Sequence, residues 1–319
     1  EVRTEYKLEK GWKFTREDNI GEFSSKEYDD TRWQSVVVPH DWAIYGPFSV
    51  NNDKQNVAIA QDGQKEALEH AGRTGGLPFV GVGWYRLKFD VPEFYVGKTA
   101  TLIFDGAMSN ARIYINGHEA GYWPYGYNSF YLDATPYLKA DGKNTLAVRL
   151  ENETESSRWY PGAGLYRNVH LVINEDAHIP VWGTQLTTPV IEKGYAKVNL
   201  KTCLTVPAGK TFADYRIVTE LKDANGKIVA TDEKSGTKYD DDVFEQEFVV
   251  DNPSLWSPDS PVLYSAVSRI YEGSRLKDKY ITPFGIRSIE IIPDKGFYLN
   301  GQRFVFQGVC NHHDLGPLG

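Results

Sequence analysis

The densest grouping of residues able to do chemistry is GVCNHHDLGPLG at 308–319, which sets His312, His313 and Asp314 side by side after an apolar run. Imidazole and carboxylate groups can hydrogen-bond hydroxyls, move a proton or hold a metal. The metal reading fails on geometry, because neighbouring residues of a strand point to opposite faces and do not close on one ion. On the residues alone, His312 and His313 alternate across a strand, one packed and one exposed. Asp314 then either orients the histidine or caps the next turn. A second grouping, SSRWYPGAGLYR at 156–167, places Arg158 beside Trp159. It joins a guanidinium that donates several hydrogen bonds to an indole with a flat apolar face.

Other groupings read as structural. The carboxylate runs EYDDTRW, around Asp29 and Asp30, and YDDDVFE at 239–245 suit turn chemistry and a solvated strand face. His40, Asp41 and Trp42 predict a buried Asp–His contact near a strand end. Two triad residues do not make a hydrolase without a serine or cysteine at a strand-to-helix elbow. GRTGGLPFVGVGW at 72–84 lacks the lysine and the strand-to-helix setting of a phosphate loop, and predicts a surface loop re-entering a strand.

The elements that must position these groups are strands. KEALEHAG at 65–72 is the one stretch of helix-forming composition. Alternation recurs at ARIYI (111–115), TLAVRL (145–150), NVHLVI (168–173), AKVNLKTCLTV (196–206) and FVF (304–306). Asn116-Gly117, Asn225-Gly226 and Asn300-Gly301 mark hairpins, since both residue types accept the positive φ of a tight type I′ turn. Short strands separated by turn signals predict β-sandwiches: one domain over 1–176 that fits a jelly roll, and one over 177–285 in the size range of an immunoglobulin-like module. GFYLNGQRFVFQGV at 296–309 adds a hairpin and an apolar strand that a completed sandwich has no use for. The chain is therefore expected to stop at the doorway of another domain.

With 319 residues, 41% hydrophobic and 13% aromatic, the chain can bury a core in each of two domains. A net charge of −8 and the lack of any Lys/Arg-rich run argue against nucleic acid. No apolar run approaches the roughly 20 residues that span a bilayer, so no membrane partner is expected. Cys203 and Cys310 are expected to be free and packed as small hydrophobes. The sequence opens on Glu1 and its single methionine is Met108, which permits a removed leader and hence a secreted or periplasmic protein, without assigning a compartment.

The ordered succession VPHDW (38–42), GVGWYRLKF (81–89), FDGAMSNARIYINGHEAG (104–121), RWYPGAGLYRNVHL (158–171), LWSPDSPVLY (255–264), FGIRSIE (284–290) and FYLNGQRFVFQGVCNHHD (297–314) resembles glycoside hydrolase family 2, most closely its bacterial β-galactosidases. The resemblance implies a jelly-roll sugar-binding domain, an immunoglobulin-like domain, and over 286–319 the first hairpin and strand of a truncated (β/α)₈ barrel. It implies a retaining, exo-acting hydrolase of terminal β-galactosides. Its acid and nucleophile glutamates lie beyond residue 319, so this chain holds no catalytic residue and no cofactor. His312 would hydrogen-bond the sugar with Asp314 as its neighbour, and Arg158 and Trp159 would form pocket wall, although some relatives carry an acidic residue where Arg158 stands. The aromatic run GYWPYGYNSFY at 121–131 either fills a core and its rim or serves as a sugar platform. Alternatives are a β-glucuronidase or β-mannosidase of the same family, and a free-standing carbohydrate-binding module. The parent protein is expected to take a carbohydrate partner and to form homo-oligomers.

Overall fold

The computed structural model describes residues 1–49, 51–52, 79–91, 95, 97–140, 142–153, 162–238 and 241–310. The chain divides into two compact units, one built mainly on Glu5–Ile173 and the other on Asn174–Gly308 together with Glu1–Thr4. KEALEHAG lies outside the described residues.

Ten strands run through the first part: β1 (Arg3–Lys7), β2 (Trp12–Thr15), β3 (Gln34–Val36), β4 (Gly81–Phe89), β5 (Lys98–Phe104), β6 (Ala111–Ile115), β7 (His118–Trp123), β8 (Phe130–Asp133), β9 (Asn144–Asn152) and β10 (Val169–Glu175). They form a jelly-roll sandwich with sheet orders β1-β10-β5-β8 and β3-β2-β4-β9-β6-β7. Period-two patterning drives this: in β5, Lys98, Ala100, Leu102 and Phe104 turn inward while the residues between them do not. The facing set of Trp12, Phe14, Trp42, Tyr85, Leu102, Phe104 and Ile113 makes the core. Asn116-Gly117, at φ 52° and 87°, closes the β6–β7 hairpin as its composition predicts.

β4 and β9 are buried on both faces because residues 16–33 fold over the outer side, where Phe23, Trp33, Trp84, Tyr114 and Ala147 form a second cluster. Charge fastens this cover. Arg86, fully buried, donates from Nε to Asp30 Oδ2 at 2.9 Å and from Nη1 to the carbonyls of Phe23 and Ser25. Arg149 grips Asp18 with two bonds of 3.1 and 2.8 Å, and the Trp84 indole donates to the same carboxylate at 2.8 Å. Asp29 does make the expected turn, accepting from Thr31 N at 3.1 Å. Asp30 does not fit the reading of turn chemistry alone, since its side chain is the buried counter-ion of Arg86.

The second unit carries β11 (Thr184–Glu192), β12 (Tyr195–Cys203), β13 (Tyr215–Lys222), β14 (Ile228–Ser235), β15 (Val243–Asp251), β16 (Tyr264–Glu272) and β17 (Arg275–Phe284) in sheets ordered β11-β12-β15 and β14-β13-β16-β17, an immunoglobulin-like sandwich. Strict alternation in β12, β13 and β15 supplies the inner faces, with Val198, Leu200 and Phe248 packed in one cluster with Leu221, Tyr264 and Phe284. One buried polar cluster is mutually satisfied: Thr219 Oγ1 donates to Gln246 Oε1 at 2.7 Å and lies 2.9 Å from Ser268 Oγ. Arg3 reaches the buried Asp278 with bonds of 2.9 and 2.7 Å, and that carboxylate also accepts from Ile179 N at 2.7 Å.

The β13–β14 hairpin forms, but not through a type I′ turn. Of Asn225 and Gly226 only the glycine has positive φ, 80°, and Asp223 Oδ1 accepts from Asn225 N and Lys227 N, each at 2.9 Å. The aspartate side chain thus organises a longer connection that ends on a left-handed glycine. Both cysteines are free, yet exposed rather than packed; Cys203 ends β12 on its outward-facing register.

Residues 289–303 form a small sheet of β18 (Ile289–Ile292), β19 (Gly296–Leu299) and β20 (Gln302–Arg303). Asn300-Gly301 turns it with φ of 52° and 74°, and the Asn300 side chain bonds Ser288 N and Trp256 O. FVF at 304–306 is not in a strand. Phe304 N donates to Phe297 O, but no ladder partner for the run exists among the described residues, and an apolar segment becomes a strand only when a neighbour pairs with it.

Replacing Asp30 by Asn should cost about 3–5 kcal/mol in urea denaturation of the first unit, because it strands a buried guanidinium. Arg216→Ala, at the exposed Arg216–Glu233 pair, should change stability by less than ~1 kcal/mol.

Candidate functional site

Arg158, Trp159, His312 and Asp314 all lie outside the described residues, so the site is built from what flanks them in the first unit. Asn152, at the end of β9, donates from Nδ2 to Gly162 O at 2.7 Å and brings together the residues on either side of 154–161. Ser109 locks the same strand end: its Oγ donates to Glu151 O at 2.7 Å, and Glu151 N donates back to Ser109 O at 2.8 Å. Met108 and Gly164 exchange backbone bonds of 3.0 and 3.1 Å, and His40 N donates to Leu165 O at 2.8 Å. Segments 38–42, 108–110, 151–152 and 162–166 therefore meet at one place, although they are distant in sequence.

Gly164 is needed at that junction. Its φ is +86°, and a Cβ there would collide with Tyr85 Oη and the His40 carbonyl oxygen. Behind it sits a buried polar contact, with His40 Nδ1 2.7 Å from Tyr85 Oη. The His40 ring is stacked on Tyr45 at 5.9 Å and tilted against Phe14 at 5.0 Å. Burial lowers the His40 pKa to about 4, helped by the nearby Arg16 charge, and burial raises that of Tyr85 well above its ordinary value. Both groups are neutral at neutral pH, which makes this a scaffold contact and not an acid–base pair. The expected Asp–His contact is corrected here: the His40 ring pairs with Tyr85, and Asp41 Oδ1 accepts from Ala43 N at 2.9 Å. The structural reading of these residues holds with a different partner.

The perturbed carboxyls are the opposite of what a general acid needs. Arg149 hydrogen bonds hold Asp18 below its ordinary range, the Thr211 backbone does so for Asp214, and Arg269 for Glu220. A glycosidase acid requires a pKa raised by apolar surroundings. Among the described residues no group of three or more His, Cys, Asp or Glu is placed to hold a metal. The surface next to Gly162–Tyr166 is instead aromatic: Tyr122, Tyr125 and Tyr127 are exposed, and Tyr166 Oη donates to Gly126 O at 2.6 Å. Sequence reasoning missed Ser109 and Asn152 as organisers. The available signal was a polar residue closing the apolar run of β9 and a serine inside a strand-to-strand corner.

The described residues thus form a jelly roll with a polar, aromatic-rimmed end, followed by an immunoglobulin-like sandwich. The chain belongs to glycosyl hydrolases family 2: residues 6–174 match the family's sugar binding domain and residues 177–287 match the domain described as glycosyl hydrolases family 2. It is 40% identical over 311 residues to Beta-galactosidase BoGH2A of Bacteroides ovatus, covering 97% of this chain and 34% of that protein. It is 35% identical over 318 residues to a putative beta-glucuronidase of Formosa agariphila, covering 99% of this chain and 28% of that one. A solved glycosyl hydrolase family 2 member from Bacteroides cellulosilyticus superposes with a TM-score of 0.82 at 32% identity, over 97% of this chain and 40% of that one. The chain thus spans about a third of the length of these relatives.

The neutral, buried His40 carries a pH prediction. Its folded pKa lies below its unfolded value, so its contribution is complete above about 6.5 and is lost as pH falls toward about 4, where the unfolded chain binds a proton that the fold refuses. His40→Gln should flatten the stability-versus-pH curve between those limits by up to ~1.4 kcal/mol per pH unit. Denaturant titrations of the variant and the parent chain at several pH values measure the difference, and the contribution of His178 in the second unit cancels between them.

Proposed function

We propose that the chain is the non-catalytic front part of a retaining, exo-acting glycoside hydrolase that cleaves terminal β-galactosides. The observation that carries this reading is the tandem family match together with 40% identity across nearly the whole chain to a β-galactosidase of which it spans a third. In this reading 1–176 is the sugar-binding jelly roll, 177–285 the immunoglobulin-like domain and 286–319 the entry to a catalytic barrel. The acid and nucleophile are two glutamates on barrel strands, held roughly 5 to 5.5 Å apart as retention requires. His312 hydrogen-bonds the terminal sugar with Asp314 beside it, and Arg158 and Trp159 form part of the pocket wall. The perturbed carboxyls described above are tied to cations or backbone and suit scaffold work. The parent protein assembles as a homo-oligomer.

A β-glucuronidase is the second reading, favoured by the 35% identity to a putative one of comparable coverage. The two differ in whether a carboxylate on the terminal sugar must be met by a cation.

Nitrophenyl β-galactoside and β-glucuronide should be assayed with this chain and with the polypeptide extended through the barrel. Galactoside turnover by the longer form alone is the expected result. Turnover by the 319-residue chain would refute the missing-barrel reading, and a glucuronide preference would replace the substrate. In the longer form, His312→Ala should lower kcat/KM by about 10-fold or more, the cost of a lost hydrogen bond to a bound hydroxyl.

A further inference from the structure

The aromatic run 121–131 divides in two. Trp123 stacks on the buried Phe130 at 5.5 Å and turns toward the sandwich core. Tyr125 and Tyr127, on the connection between β7 and β8, remain 57% and 53% exposed, with ring centroids 5.5 Å apart and planes inclined by 57°. Two large rings left this open on a short connection would ordinarily be mobile and would lose entropy on binding. Here the connection is held along its length. Asn110 N donates to Pro124 O at 3.1 Å, Tyr166 Oη to Gly126 O at 2.6 Å, Trp123 Nε1 to Asn128 Oδ1 at 2.9 Å and Ser129 Oγ to Asp105 O at 3.0 Å. Gly126 lies so close to Met108 that a Cβ would collide with its sulfur. The backbone is fixed in advance, and the rings are presented by it.

We infer that Tyr125 and Tyr127 form a stacking shelf for two successive sugar rings of a neutral oligosaccharide. The inference rests on the carbohydrate reading above and adds the face and the residues. A pyranose offers a C–H face to an aromatic ring and hydroxyls to its edge. Tyrosine answers both, with an apolar body and a wet, hydrogen-bonding tip. A separation of 5.5 Å is close to the length of one sugar residue, and inclined planes suit successive rings that are twisted against each other. The bond from Tyr166 to Gly126 makes the shelf continuous with Gly162–Tyr166, hence with the junction already described. A chain of net charge −8 favours a neutral glycan over an acidic one.

The test titrates this chain calorimetrically with galactotetraose, a neutral β-linked probe, and with galactose. Saturable binding of the tetraose, stronger than that of galactose and weakened about 5-fold by either Tyr125→Ala or Tyr127→Ala but retained in the phenylalanine variants, is the expected result. Saturation transfer from tyrosine ring protons to the tetraose gives a second readout on the unsubstituted chain if an alanine variant does not fold. Affinity in both alanine variants equal to that of the unsubstituted chain, no binding of the tetraose, or a loss of self-association in the variants without glycan binding would each overturn the inference. Nitrophenyl β-galactoside turnover is measured in parallel on the unsubstituted barrel-bearing polypeptide. If that activity is absent while tyrosine-dependent tetraose binding persists, the galactosidase reading fails and the shelf stands.

Discussion

The first unit depends on a hydrogen bond that solvent never sees, the 2.7 Å contact between His40 and Tyr85. Tyr85 lies at the centre of β4, whose neighbours β2 and β9 carry most of the larger sheet. By fixing His40 on that strand, the contact fixes the backbone that receives Leu165, and through Gly164 it fixes Met108 as well. Each of these would be free to shift if the pair were replaced by apolar groups of another shape. A buried polar contact is costly when half satisfied and specifying when complete, and this one selects a single arrangement of four segments that local preference alone would leave undecided.

The distribution of charge has the same logic. The chain is acidic overall, yet several of its arginines are buried or partly buried, and each is matched to a carboxylate: Arg86 to Asp30, Arg149 to Asp18, Arg3 to Asp278. Carboxylates engaged in this way tie distant segments of the chain together.

The fold was legible in the sequence where alternation is strict. ARIYI became β6 with the same limits, and β12, β13 and β15 keep their period through every residue of the core. Hairpins marked by Asn-Gly were legible as connections but not always as turn types, because Asp223 competes for the backbone donors beside Asn225-Gly226. FVF at 304–306 carries strand chemistry without a strand, since pairing is a property of two segments and composition of one. Asp29 and Asp30 are adjacent and of one type, yet opposite in environment; the arrival of Arg86 from a strand 56 positions away buries only the second. Of the site, the family resemblance was legible from ordered motifs, whereas the junction that supports residues 154–161 depends on Ser109 and Asn152, which no spacing rule connects.

The bond from Arg3 to Asp278 spans 275 positions and belongs to the later unit, although Arg3 is made long before Asp278. During synthesis at roughly 5–20 residues per second, domains tend to fold as they emerge. Arg3 and the residues just before it must then wait until the strand that carries Asp278 has been made. Until then a carboxylate sealed inside β17 and its arginine are both without their partner, so that arginine waits through the synthesis of some 275 residues before its place exists.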